Sequence, residues 1–399
     1  MDGTKPYRNL PMDVVIDDIL SRLPVKTLIR FTSVCKSWYS LIRNPKFITT
    51  HINRSIYNYI LFMPLRNRWE GFFSVICDKS FVEHAKLEIP FCSEYGIVRI
   101  VGSCNGLLCL TDEYVDAFGR DLYLWNPSVR KYKTIFSSSV IEFDDCLKNY
   151  SVFGFGFHKC ANDYRVVRII YFGDDANNFF GKVPPEVEVY SLSTDSWKRV
   201  GAAVPCEVHS FSDSLAFVDG AVHWLAYSSA EDAEDVVMSF DLNDEVFREV
   251  MLPDNLLDGV GQEVSLMDFK GSLSLFVFSP EMPSVSKRCY IWLLREYGAV
   301  KSWTKQFTIV PHDTVEFPLG CTKSGKVIFQ TGGQLFSFDV ENQQFKDLGT
   351  SWEPYAVDAM FMESLVLLEG GNVAFGQAMS VGASCNSAYE DGYFEDFQE

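Results

Sequence analysis

Six histidines and eleven cysteines are the side chains of this 399-residue sequence best suited to nucleophilic, acid–base or metal chemistry. The cysteines (Cys35, Cys77, Cys92, Cys104, Cys109, Cys146, Cys160, Cys206, Cys289, Cys321 and Cys385) are scattered and never form C-x-x-C. No Cys/His pair has the spacing of a zinc site, and His51, His84, His158, His209, His223 and His312 form no ligand pattern, so neither a metal nor a cofactor is expected. Gly154-x-Gly156 lacks the third glycine of a dinucleotide loop and stands among strand-forming phenylalanines. Neither a G-x-S-x-G elbow nor a phosphate-binding Walker loop is present. Cys35 stands beside Lys36, a neighbour that would favour a thiolate. Its place on a helical apolar stripe favours a buried structural thiol instead. His158 and His223 adjoin aromatic strand residues and read as packing groups. The sequence carries no enzyme signature, and its recognisable spacing lies in residues that bind.

Those residues lie in the first fifty. Val15, Ile16, Ile19, Leu20 and Leu23 recur at three- and four-residue steps, the stripe of an amphipathic helix. Leu10-Pro11 suits a helix entry, where proline's missing N–H is not needed. Asp13 lies where the helix dipole favours an anion. Pro24 breaks the stripe by biasing Leu23 away from helix. A second stripe then runs through Leu28, Phe31, Val34, Trp38 and Leu41, until Asn44-Pro45 ends it. The reading is three short helices with a bend between Arg30 and Ser33. So small a segment cannot cover its own apolar surface, and a partner must do so. Residues 1–60 hold nine Lys and Arg against four Asp, a balance of +5. The chain totals −18, so the remainder carries −23, and the basic front end suits an acidic partner.

The segment resembles the F-box, the module by which substrate receptors dock onto the SKP-type adaptor of a cullin-based ubiquitin ligase. The matching pieces are Leu10-Pro11, Asp13-Val14-Val15-x-x-Asp18-Ile19-Leu20, Leu23-Pro24-Val25-Lys26-Thr27-Leu28, Arg30-Phe31, Val34-Cys35-Lys36-Ser37-Trp38, and Leu41-Ile42 before Pro45 and Phe47. The resemblance implies an adaptor-binding set of Leu10, Pro11, Val15, Ile19, Leu20, Leu23, Pro24, Leu28, Val34, Cys35 and Trp38. These would be buried partly within the module and partly against the adaptor.

The elements that follow are strands. Residues 55–378 show short apolar runs ended by Gly, Pro, Asn or Asp. One phrase recurs: an apolar strand, a polar residue, and six positions later an aromatic followed by a basic residue. Its copies are Leu124-Trp125-Asn126 to Tyr132-Lys133, Val189-Tyr190-Ser191 to Trp197-Lys198, Ser239-Phe240-Asp241 to Phe247-Arg248, and Ser337-Phe338-Asp339 to Phe345-Lys346. A weaker copy ends at Ser302-Trp303-Thr304. Each reads as a hairpin with the aromatic packed across the pair. Upstream of most copies stands a glycine hairpin: Asn105-Gly106, Asp219-Gly220, Lys270-Gly271 and Ser324-Gly325. Residues 57–97, with strands at 59–62, 72–76 and 87–90, supply a first blade. Two hairpins make a four-stranded unit and the marks recur at propeller-blade spacing, so an irregular β-propeller is expected, of about six blades when the body is divided by a blade length of about 50 residues.

This part resembles the F-box-associated domain of plant F-box proteins, which implies that the propeller is kelch-like. The resemblance rests on Asn105-Gly106-Leu107-Leu108-Cys109, Trp125-Asn126-Pro127-Ser128, Phe153-Gly154-Phe155-Gly156-Phe157, Asp163-Tyr164-Arg165-Val166-Val167 and His223-Trp224. The wording is similar to the S-locus F-box and S-locus F-box-like group, which implies a pollen self-incompatibility receptor of a pistil ribonuclease; an immune or developmental target fits the residues equally. Paired glycines occur only at Gly332-Gly333 and Gly370-Gly371, away from kelch positions. The domain plan is therefore an F-box over 1–50, a recognition propeller over 51–377, and an acidic tail over 378–399 expected to be disordered.

Composition limits the alternatives. The absence of a secretory signal and scattered cysteines suit a reducing compartment, cytoplasmic or nuclear. No uncharged run is long enough to span a bilayer. A body at −23 would repel phosphates and argues against nucleic acid as a partner. The expected partners are an SKP-type adaptor, cullin through it, and a target protein. Loops at 112–120, 136–150, 173–185, 228–235 and 253–263 read as variable solvated insertions or as target contacts, and no residue among them is singled out as target-binding. The competing reading is a propeller enzyme or small-ligand sensor carrying a docking module, which convergent carboxylates or histidines in the central channel would favour.

Overall fold

A computed structural model describes residues 15–54, 59–64, 72–91, 98–112, 121–136, 148–173, 183–208, 215–228, 235–253, 256, 263–279, 288–296, 302–310, 318–331, 334–349, 354–366 and 372–373. Leu10, Pro11, Asp13 and Val14, most of the loops read as insertions or target contacts, both glycine pairs and the tail over 378–399 lie outside these residues.

The chain enters through irregular helical turns, π-type over Val15–Ile19 and 3₁₀ over Leu20–Arg22. Three α-helices follow: α1 over Val25–Phe31, α2 over Lys36–Ile42 and α3 over Pro45–Arg54. The bend expected between Arg30 and Ser33 is the break between α1 and α2. As expected, α2 stops just before Asn44-Pro45, but a further helix that the stripes did not announce starts there. Pro45 is the first residue of α3, where its fixed φ suits a helix start and its lost N–H costs nothing. The Asn44 side chain caps this start by accepting from the Lys46 amide at 2.9 Å.

The remaining elements form six antiparallel sheets, the blades of a propeller. Blade 2 runs outward through Val98–Cys104, Leu107–Asp112, Leu122–Asn126 and Lys131–Ile135. Blade 3 holds Lys148–His158, Asp163–Gly173, Glu186–Ser191 and Ser196–Val200. In blade 4 the inner position is split between Cys206–Val208 and Leu215–Val218, both pairing with Ala221–Ser228, and Asp235–Asp241 and Val246–Met251 follow. Blade 5 runs through Glu263–Phe269, Ser272–Ser279, Arg288–Leu294 and Trp303–Ile309. Blade 6 holds Pro318–Cys321, Lys326–Thr331, Gln334–Asp339 and Gln344–Asp347. Blade 1 closes the ring. Its outer strands are Tyr59–Pro64, Phe72–Cys77 and Glu83–Glu88, and its innermost strand, Pro354–Phe361, comes from the other end of the chain. Tyr59 pairs with Phe361 and Ile60 with Met360.

The recurring phrase is the outer hairpin of blades 2, 3, 4 and 6. Its polar residue caps the turn by accepting from amides two or three residues on. Asn126 accepts from Ser128, Asp241 from Asn243 and Asp244, and Asp339 from Glu341 and Asn342. The aromatic packs across the pair as expected, Phe247 on Phe240 at 4.7 Å and Phe345 on Phe338 at 4.4 Å. Arg130, Asp195, Glu245 and Gln343, each just before the outer strand, share a left-handed φ of +51° to +55°.

Antiparallel order divides the connections between two faces. Turns from first to second and from third to fourth strand share one face. These span two to five residues, the 295–302 turn of blade 5 excepted. Second-to-third connections and those between blades share the other face and mostly span five to twelve. Apolar clusters fill the spaces between neighbouring blades. Gly154 belongs to one of these contacts: a Cβ there would come within 2.6 Å of Trp224 and Val222, so only glycine lets blades 3 and 4 meet.

Candidate functional site

The sequence-predicted docking residues sort into two groups by burial. Leu20 and Leu28 are sealed inside the helical module with Val25, Ile42 and Phe47, so they support its surface rather than form it. Leu23 is half-buried, and its carbonyl accepts a hydrogen bond from His51 Nε2 at 2.9 Å. Trp38 is half-buried against Phe31, ring centroids 5.0 Å apart. Ile19, Pro24, Val34 and Cys35 are exposed, Val34 by 62 % and Ile19 by 43 %. Val15 opens the first helical turn, and its side chain is not among those described.

Cys35 departs from its expected burial. It is the extended residue before α2, at φ −160° and ψ 164°, and this conformation lifts it off the helix stripe into solvent. Two exposed apolar residues were not anticipated: Ile29, 37 % exposed, and Tyr39, 47 % exposed with the Arg43 guanidinium over its ring at 5.1 Å. Both fall off the stripes that hold the module together, so an exposed position was their only signal. Four of the eleven large apolar side chains exposed among the described residues thus lie within 15–54. An apolar surface of this density on a small basic module marks a contact face.

The module is fastened to the propeller through one segment. Past the closing strand, Leu365 enters the helical core together with Val129 of the blade 2 turn. Ile48 and Ile52 of α3 pack in return against the blade 2–3 cluster that contains Val366. Asn126 locks this arrangement. Fully buried, its Nδ2 donates to the Val366 carbonyl at 2.7 Å and approaches the Ser364 hydroxyl at 3.2 Å. The Ser364 amide donates to Ser128 Oγ at 3.2 Å. Gly106, at φ +80°, lies directly beneath: a Cβ there would meet the Met362 carbonyl and Ser364 at 2.6 Å. The Asn126-Pro127-Ser128 phrase marked a turn in the sequence, but nothing local marked its partner 238 residues away.

Between module and propeller lies a cleft of about 510 Å³. Lys26 and Arg30 of α1 and Arg130 of the blade 2 turn supply cationic walls, and Tyr59, Leu87 and Phe361 belong to its apolar lining. His84 stacks on Tyr59 at 5.1 Å.

Chemistry is sparse elsewhere. Among the described residues no three His, Cys, Asp or Glu side chains converge as a metal site would require. His158 accepts from the Ala161 amide through Nδ1 at 2.8 Å and serves its own turn. His223 is fully buried, and desolvation pushes its pKa down from 6.5 to about 4. Five of the eight described cysteines are buried, and desolvation raises Cys104 to about 12. No helix among the described residues is long and apolar enough to cross a membrane.

Comparison with known proteins agrees with this geometry. Residues 8–50 match the F-box domain, and residues 63–351 match the F-box associated beta propeller domain. The chain is 31% identical to F-box protein At3g07870 of Arabidopsis thaliana over 75% of this chain and 72% of that protein. It is 29% identical to F-box protein CPR1 of the same plant, over 90% and 89%. F-box/kelch-repeat protein At3g23880, also of Arabidopsis thaliana, is 27% identical over 84% and 89%. The chain belongs to the plant F-box proteins whose second domain is an F-box-associated β-propeller.

Proposed function

We propose that this chain is the substrate receptor of an SCF-type ubiquitin ligase. The helical module docks an SKP-type adaptor, and cullin through it, while the propeller holds a target protein for ubiquitination and proteasomal degradation. Ile19, Pro24, Val34 and Cys35 make the adaptor contact together with Leu10, Pro11 and Val15; Leu20, Leu23, Leu28 and Trp38 hold those side chains in place. The observation that carries this reading is the exposed apolar surface on a module clamped to the propeller by Asn126 and Leu365. A receptor of this kind does no chemistry itself: it raises the local concentration of the target's lysines at the ubiquitin-carrying enzyme. The cell compartment is cytoplasmic or nuclear. The finer reading, from the S-locus resemblance, is a pollen receptor whose target is a pistil ribonuclease.

The test is an adaptor pull-down with Ile19→Asp/Val34→Asp. Both side chains are exposed, so the melting temperature stays at the wild-type value while adaptor capture falls at least about 30-fold, the loss expected of two central apolar contacts. Undiminished capture by the double variant sinks the docking assignment.

A further inference from the structure

The cleft between the helical module and blades 1 and 2 has an unbalanced charge. Lys26, Arg30 and Arg130 face Glu363, the one acid of the lining. These three cations have no ion-pair partner among the described residues, whereas Lys133, Arg165, Lys198 and Arg248 on the propeller are all paired. The floor is apolar and aromatic, with Tyr59, Val75 and Phe361 from one packed cluster. Trp125 belongs to that cluster, and its buried indole N–H has no acceptor among the described residues. The volume, about 510 Å³, lies within the range of sites that hold several side chains of a ligand. A complementary occupant carries aromatic groups and several carboxylates on one short segment.

The chain contains such a segment. Its last eleven residues, Tyr389–Glu399, hold Tyr389, Tyr393, Phe394 and Phe397, five Asp and Glu, and no Lys or Arg. The described chain also ends beside the cleft. Asn372 and Val373 pair with Tyr132 and Lys131 at the outer edge of blade 2, so Val373 lies opposite the residue next to Arg130. Val373 and Tyr389 are sixteen positions apart, a stretch whose fully extended reach is at most about 55 Å. Tethering at that reach gives an effective concentration on the order of millimolar. We infer that the acidic, aromatic segment 389–399 docks in cis into this cleft, its carboxylates on Lys26, Arg30 and Arg130 and its rings on the floor. The cleft is thus an acidic-peptide site already filled by the chain itself, and an external acidic ligand of α1 must displace the tail. This assignment does not depend on the adaptor reading.

The test places a benzophenone amino acid at position 394 of the full-length chain and maps the cross-links. The expected products are intramolecular and fall within residues 26–30, 84–87 or 127–130. Arg30→Glu/Arg130→Glu lowers the yield at least about tenfold. Adding Glu390→Lys, Asp391→Lys, Glu395→Lys and Asp396→Lys to that variant restores it, which an unfolded chain would not do. Cross-links mapped elsewhere, a yield that the charge reversal leaves unchanged, or products joining two chains in proportion to concentration would each overturn the inference.

Discussion

The propeller's two faces are built to different rules. The face that carries the helices is short-turned and stitched. Its turns cap themselves with Asn126, Asp241 and Asp339, and ion pairs cross from blade to blade there. Lys133 reaches Asp195 at 2.6 Å, Arg165 reaches Glu245 at 3.1 Å, and Lys270 reaches Glu341 at 2.5 Å. The opposite face receives the long connections, whose ends are fixed by the strands they join. Rigidity is needed where the helices must hold one orientation relative to the propeller, and sequence freedom is tolerated where strands merely have to be rejoined. The difference teaches that the fold separates a stitched, helix-bearing face from a face of long connections, and each side of that separation can be tested.

The largest expected effect is at Gly106, compared with a glycine in the same turn of another blade. Gly106 and Gly271 share φ +80°, so alanine is strained at both. At Gly271 nothing lies within 4 Å of the added Cβ, and Gly271→Ala should cost about 1 kcal/mol. At Gly106 the methyl meets backbone at 2.6 Å and displaces the segment that carries Leu365, so Gly106→Ala should cost about 4 kcal/mol. Denaturant melts of the two variants measure the difference. Equal costs would mean that the helix-bearing face is uniform and that its junction with the module has no special role.

Next comes the pH dependence of the interior. His223 is buried and hydrogen-bonded to the Ala216 carbonyl at 3.2 Å, and its pKa falls from 6.5 to about 4 because burial opposes the charged ring. The unfolded chain therefore binds this proton more readily than the folded one between pH 6.5 and 4. Stability is complete above pH 6.5 and is lost as pH falls toward 4, by up to about 3 kcal/mol. Asp195 and Asp339 of the stitched face titrate lower, whereas burial raises Asp78 and Asp268 of the same face. Hydrogen bonds, from Lys133 and Tyr190 to Asp195 and from Asn342 to Asp339, hold those carboxyls below 3.8, so what they contribute is lost only at lower pH. Asp241 is also lowered, by amide and Arg248 hydrogen bonds that outweigh its desolvation. Melts of wild type and His223→Gln from pH 7 to pH 4 should converge at the acid end. Parallel curves would assign the acid sensitivity elsewhere.

What the sequence disclosed divides along the same line. The stitched face was legible because its turns are local: a capping polar residue, a left-handed position and an aromatic six residues on must all fall within one hairpin, and they recur. The propeller plan followed from those marks, and the count of about six from the length of the body. The closing strand Pro354–Phe361 was not legible, because its partner Tyr59–Pro64 lies almost three hundred residues earlier and no local pattern encodes that pairing. The cleft was illegible for the same reason, since Arg30 and Arg130 meet only after folding. Within the module, the stripes placed Leu20 and Leu28 correctly in register but did not say which candidates face inward. Cys35 was missed because a break in the helix, rather than the stripe, sets its exposure. Asn44-Pro45 was read correctly as the end of α2, but α3 was missed because a proline reads alike at the end of one helix and the start of the next.

The smallest stability effect is expected on the face of long connections, where it is most informative. The connection 229–234 joins Ser228 to Asp235 and carries Glu231, Asp232 and Glu234. Its flanking strands are held by a ladder from Ala221↔Asp241 to Tyr227↔Asp235, with Ala226 and Val236 buried, so their stability does not depend on the residues that join them. Replacing 229–234 with Gly and Ser at unchanged length adds little closure entropy. The melting free energy should therefore move by no more than about 0.5 kcal/mol, and adaptor capture should not change. Target capture, read by proximity labelling of the Ile19→Asp/Val34→Asp chain with and without the replacement, should change in composition. A loss above about 1 kcal/mol would show that this face also holds the fold together, and the division between the two faces would fail.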